Sequence, residues 1–244
     1  LKKIGDKCML EFIYNRLIKS KRLKKVVIAT SSNIGDDKIR NFCKSKGIEC
    51  FTGSEDDVLD RFYQTAKALK ADPVIRITGD CPFVDPFVID NLIDMQCKKS
   101  FDHVGVATGA GSIFLEEDRF PDGLDAECFK FDTLSIAWKN ATTKTEREHV
   151  TPYIWKNPKL FKLGTLFSSI KNIGHYRFTV DVKEDLELIR AINSLKSKSK
   201  NSDQEIYLEE LIEILKNNPN LIEINNKINF NDEYLKIWGK KNEK

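Results

Sequence analysis

The stretch PVIRITGDCPFVDP, residues 73–86, sets an arginine inside a β-branched, strand-like run and ends it on an aspartate boxed between glycine and cysteine-proline. An unpaired charge is expensive to bury, so Arg76 and Asp80 require a partner, a crevice or a ligand. Period-two alternation puts Val74, Arg76, Thr78 and Asp80 on one side of the strand and Ile75 and Ile77 on the other. The spacing returns in RFTVD, where Arg177, Thr179 and Asp181 share a side opposite Phe178 and Val180. If the two strands are parallel neighbours, or nearly so, they deliver Asp80 and Asp181 to one edge of a sheet. Two close carboxylates repel unless a proton or a cation intervenes. A hard divalent ion such as Mg²⁺, which takes one or two protein carboxylates and completes its shell with water and substrate phosphate, resolves that conflict. The alternative has each aspartate capping the turn that leaves its strand and each arginine pairing with a neighbouring acid.

Outward from this stretch, helix and strand alternate. Residues 7–19 carry Leu10, Ile13, Leu17 and Ile18 on one helical face before the strand KKVVIAT (24–30). DDKIRNFCKSKG is a helix closed by Gly47, ECFTG the strand after it, 56–70 a helix, 73–78 a strand, 87–98 a helix and 103–108 a strand. This rhythm predicts an α/β fold, a mostly parallel Rossmann-like sheet with helices on both faces, whose ligands sit beyond the carboxyl ends of the strands. After residue 108 the rhythm changes. GLDAECFKF and KLGTLF read as strands, as does HYRFTV; DTLSIAWKNA is a helix, EREHVTPYIWKNP a helix broken near Pro152, and 182–197 another. The low-complexity KSKSKNS (196–202) reads as a linker, dividing an α/β domain over 1–198 from a helical appendage and polar tail over 199–244.

Composition narrows the function. The 244 residues are 41% hydrophobic and 32% charged, with a net charge of only +3 spread over short basic runs, so a nucleic-acid groove is not indicated. Six cysteines form no C-x-x-C pair, which favours reduced thiols in a cytoplasmic protein over a zinc site or disulfide framework. No apolar run approaches the roughly 20 residues of a membrane span. Dinucleotide-binding, P-loop, nucleophile-elbow and zincin motifs are absent.

Three further stretches carry candidate chemistry. ATSSN (29–33) ends a strand with hydroxyl and amide groups that can read a nucleobase edge, or simply punctuates a loop. FPDGLDAE (120–127) sets Asp125 and Glu127 on one side of a strand after a Pro-Asp-Gly turn, as a sugar-binding loop or an ordinary turn would. TEREHVTPY (145–153) crowds Arg147 and His149 into a helix start, with Thr145 and Glu148 the expected capping pair. SEDD (54–57) is likewise a capping box before Asp60 and Arg61.

Taken in order, VVIATSSN, FTGSEDDVLDRFYQTA, VIRITGDCPFVDP, FPDGLDAE, TEREHVTPYI and YRFTVDVKEDLELIRAI closely resemble the spore-coat polysaccharide biosynthesis protein F family, over about residues 4–238. That family is similar to the cytidylyltransferases that make CMP-sialic acid and CMP-KDO. The resemblance implies a nucleotidyltransferase that joins a sugar to CMP from CTP, with Mg²⁺ held by Asp80 and Asp181 and Arg76 among the catalytic group. It places Ser31, Asp60 and Arg61 near the nucleotide, with Thr30 and Thr78 beside them, and Asp122, Asp125, Arg147 and His149, joined by Glu127, around the sugar. Competing readings are a nucleotide-sugar glycosyltransferase and an inactive nucleotide-sugar binding protein. Relatives often dimerise, so apolar residues between 130 and 170 are either an interface or core. The chain starts just after the relatives' first strand and basic phosphate loop, and with leucine, so a longer product or a mis-called start is expected. GAGSIFLEED (109–118) is longer than the resemblance predicts.

Overall fold

The computed structural model describes residues 1–108, 118–197 and 205–228. Almost all of GAGSIFLEED, most of the KSKSKNS linker and the tail from 229 lie outside the described residues. A two-stranded antiparallel pair, β1 (Lys3–Ile4) and β2 (Lys7–Cys8), leads into α1 (Met9–Leu17). Next come β3 (Ile28–Ser31), α2 (Asp37–Lys46), β4 (Cys50–Gly53), α3 (Val58–Leu69), β5 (Val74–Arg76), α4 (Pro86–Lys99) and β6 (His103–Val106). The second half holds β7 (Glu127–Phe129), α5 (Phe131–Asn140), α6 (Lys144–His149), α7 (Pro152–Trp155), β8 (Leu163–Leu166), α8 (Lys183–Ser197) and α9 (Leu208–Asn217).

Local chemistry sets most boundaries. Gly47 ends α2 in the left-handed conformation (φ 66°) that a side chain would strain. Asp85 caps α4 by accepting from the backbone of Phe87 and Val88, with Pro86 at the first helical position, where a missing N–H costs nothing. At α3 the cap is Asp57, which accepts from Asp60 N, while Ser54 accepts from Asp57 N one step earlier. The start of α6 corrects the sequence reading: the capping box is Thr143 with Glu146, two residues upstream of Thr145 and Glu148. The sequence carries T-x-x-E in both frames, and the frame adopted brings Arg147 onto Asp57 of α3.

β3 and β4 pair in parallel. A mixed sheet of order β5-β7-β6-β8 holds β6 and β8 parallel, with β7 antiparallel between β5 and β6. The expected strand over 175–180 forms no ladder, only a parallel bridge between Asp122 and Arg177. Three backbone bonds fix it: Asp122 N to Tyr176 O (3.2 Å), Phe178 N to Asp122 O (2.7 Å) and Val180 N to Asp80 O (2.9 Å). Gly123 (φ 92°) permits this approach, since a Cβ there would lie 2.3 Å from Thr179 N.

One hydrophobic core joins α1, α4, β6, α8 and α9 through residues such as Phe12, Leu92, Val104, Ile189 and Leu211; a second joins α3, α5 and α7 through Leu59, Leu134 and Ile154. No helix among the described residues is long and apolar enough to cross a membrane.

Candidate active site

Because β7 runs opposite to both β5 and β6, residues leaving β5 and β6 and those entering β7 gather at one edge. Thr78 to Cys81, Thr108 and Asp122 to Asp125 meet there. The Thr78 hydroxyl donates to Asp80 Oδ1, and the buried Cys81 thiol lies 3.5 Å from the same oxygen and 3.9 Å from Asp125 Oδ2. Asp125 also accepts from the Thr108 hydroxyl and from Gly123 N (2.9 Å). Burial pushes the Asp125 carboxyl up, opposed by those two hydrogen bonds and reinforced by the charge of Asp80. Val180 N bonds to Asp80 O, so the residue after it, Asp181, leaves its segment at the same rim. The Asp181 side chain is 55% exposed.

Arg177, 6% exposed, ties this rim together. Its guanidinium donates to Asp122 Oδ2 (2.7 Å), Asp181 Oδ2 (2.5 Å) and both oxygens of Asp185 (3.0 Å each). Desolvation and the neighbouring Asp125 charge push Asp122 up to about 7 despite Arg177, because one guanidinium is shared among three carboxylates. For Asp185, burial is outweighed by the bonds from Arg177 and Asn225, which hold its carboxyl below the ordinary range. From sequence alone Arg177 had only a place in a repeated pattern, and Asp185 and Asn225 had no role. The one available signal was Asp185 itself, an acid in the first turn of the helix that follows RFTVD.

The other predicted residues fall into three groups. Arg76, part-buried, pairs across the sheet with Glu127 (3.0 Å), and the buried Glu127 carboxylate accepts from the buried His103 Nε2 at 3.0 Å. Burial alone would raise the Glu127 carboxyl, but His103 and the Arg76 charge pull it below the usual range. The arginine in the opening strand therefore has a protein partner. Thr30 and Ser31, buried at the end of β3, both donate to Asp36 Oδ2, through the Thr30 hydroxyl (2.7 Å) and Ser31 N (2.9 Å). Those bonds lower the Asp36 carboxyl, whose charge reaches Arg61. Arg61 donates to Ser54 O (2.6 Å), and its buried Nε has no hydrogen-bond partner among the described residues. Asp60 accepts from Trp138 Nε1 (2.7 Å) and Gln64, and Arg147 makes a forked pair with Asp57 (2.5–3.0 Å), so these two dock α5 and α6 on α3. His149 ends α6, half-buried. The structure thus brings Thr78, Asp80, Asp122, Asp125 and Asp181 to one rim, Arg76 and Glu127 together beside it, Thr30 and Ser31 to the end of β3, and Asp60, Arg61 and Arg147 to α3, with His149 at the end of α6.

The sequence profile of the cytidylyltransferase family matches residues 1–228. A solved cytidylyltransferase of Leptospira borgpetersenii superposes with a TM-score of 0.79 at 30% identity, covering 91% of this chain and 88% of that one. An uncharacterized protein of Methanocaldococcus jannaschii is 38% identical over 93% of this chain and 88% of its own. The spore coat polysaccharide biosynthesis protein SpsF of Bacillus subtilis is 31% identical over 90% of this chain and 88% of its own. A profile match spanning the rim, the β3 end and the Arg177 network alike leaves one conclusion: the chain belongs to the cytidylyltransferase family.

Proposed function

We propose that the protein transfers the cytidylyl group of CTP to a sugar oxygen, releasing pyrophosphate, as an activating step for surface polysaccharide or glycan synthesis, with Mg²⁺ as cofactor. The observation that carries this reading is the bond from Val180 N to Asp80 O, which draws two acid-terminated segments to one rim. Asp80 and Asp181 are hard oxygen donors suited to Mg²⁺, which needs only one or two protein carboxylates. No cluster of three or more metal-ligating side chains occurs among the described residues, so the proposed site rests on these two carboxylates. When bound, the ion would neutralise charge on the phosphates as a Lewis acid.

The protein's own part is positioning. Thr78 and Cys81 orient the Asp80 carboxylate from one side, and Arg177 holds Asp181 from the other. Asp122 and Asp125 offer acceptors to sugar hydroxyls, while Thr30, Ser31 and Arg61 form the nucleotide side, where Arg61 Nε, without a partner among the described residues, is a donor for the nucleotide. Arg76 acts through Glu127, fixing β5 to β7 below the rim. A sugar oxygen attacks the α-phosphorus in line, the bond to the bridging oxygen breaks with pyrophosphate, and the hydroxyl proton passes to a rim carboxylate or water.

Asp80→Asn and Asp181→Asn are expected to lower pyrophosphate release from CTP at least 100-fold while shifting unfolding by less than about 1 kcal/mol. Equal loss of activity and stability would return both residues to structural roles. Sugar transfer from a nucleotide sugar without pyrophosphate release would replace the proposal with a glycosyltransferase.

A further inference from the structure

Resting on that reading, we infer that Arg177 is a positioning residue for the cation-holding rim and that Asn225, from the C-terminal segment, sets its orientation. Asn225 follows the 3-10 turn Pro219–Ile224 and is 5% exposed. Its side-chain amide donates to Asp185 Oδ1 (2.9 Å) and Arg177 O (3.2 Å). Asp185, fully buried, also accepts from Asp181 N (3.1 Å) and Val182 N (3.2 Å), so the amide, the carboxylate and the backbone that presents Asp181 form one unit.

One buried carboxylate suffices to pair a structural guanidinium, and Asp185 and Asp122 already supply two. Arg177 reaches further, to a third carboxylate that stands 55% exposed. An exposed carboxylate held to a buried guanidinium that two other carboxylates already anchor loses its rotational freedom, and a ligand gains from that preorganisation. Arginine's planar fork can serve three acids at once; a lysine ammonium at the same place is a point charge on a flexible stem.

The test measures binding of Mn²⁺ alone, by electron paramagnetic resonance of free and bound ion, in the full chain and in Asn225→Ala, Arg177→Lys and Leu215→Ala. Leu215 lines the same cavity as Arg177 and Asn225 but makes none of their hydrogen bonds, so Leu215→Ala controls for lost packing and stability. Unfolding midpoints are recorded for each. Asn225→Ala and Arg177→Lys are expected to weaken Mn²⁺ at least fivefold, and Leu215→Ala less than twofold at an equal or greater loss of midpoint. Should Arg177→Lys fail to fold, Asn225→Ala decides alone. Mn²⁺ affinity unchanged within twofold in Asn225→Ala, or weakened equally in Leu215→Ala, overturns the inference. Absence of Mn²⁺ binding in the unsubstituted chain, or indifference to Asp80→Asn and Asp181→Asn, overturns it too, by removing the cation reading beneath it.

Discussion

Glu127 shows how one buried acid decides a neighbourhood. It holds both Arg76 and His103, and breaking a buried pair from one side leaves the partner's charge uncompensated. Glu127→Gln is therefore expected to cost roughly 3–5 kcal/mol in denaturant unfolding, whereas replacing Arg76 and Glu127 together by apolar residues restores part of that loss. Protonation acts on the same residue with a definite sign. Glu127 is depressed in the fold, so its contribution is present above the ordinary carboxylate range and is lost as pH falls through the lowered value. Asp122 works the other way: raised to about 7, it binds a proton in the native state that the unfolded chain has already released, so stability falls as pH rises from about 4 to about 7. A carboxyl resonance titrating near 7 that disappears in Asp122→Asn, together with a flatter stability profile for that variant over the same window, is the expected result.

At the scale of elements, the Pro-Asp-Gly turn is what lets the 176–180 segment close on the rim. Gly123→Ala forces a Cβ into the backbone of Phe178 and Thr179 at a positive φ, and is expected to cost at least ~2 kcal/mol and to loosen amide protection at Phe178 and Val180 in hydrogen exchange. Much of this level was legible beforehand. Periodicity located α3, α4 and α8, because long amphipathic segments repeat one signal many times, and Gly47 marked the end of α2 through chemistry confined to the chain nearby. What escaped depends on distant partners. The antiparallel direction of β7 leaves no trace in a three-residue strand, and the frame of α6 was chosen by Arg147 meeting Asp57, 90 residues away in sequence. For the same reason Asp80 and Asp181 could be paired by their repeated spacing, while Asp185 and Asn225, which repeat nothing, could not.

Across the whole molecule, the C-terminal segment is built into the main core as well as into the Arg177 network. Leu208, Leu211, Ile212, Leu215 and Leu221 are each buried within it. Arg16 of α1, 1% exposed, donates to Val84 O (2.8 Å), approaches Glu205 (3.5 Å) and lies over the Tyr207 ring. Leu208 N donates to Asp85, the same carboxylate that caps α4. Removing residues 205–244 would expose the apolar surface those five side chains cover, at ~1.5–3 kcal/mol each as an upper estimate. That is comparable to the ~5–15 kcal/mol by which a domain is stable, and Arg16 would lose the carboxylate of Glu205 as well. A chain ending at residue 204 is therefore expected to lose cooperative unfolding and near-ultraviolet circular dichroism rather than to shed a separable appendage. A truncated chain that unfolds cooperatively within a few degrees of the full one would instead mark 199–244 as an independent addition, and would detach the rim's geometry from the end of the chain.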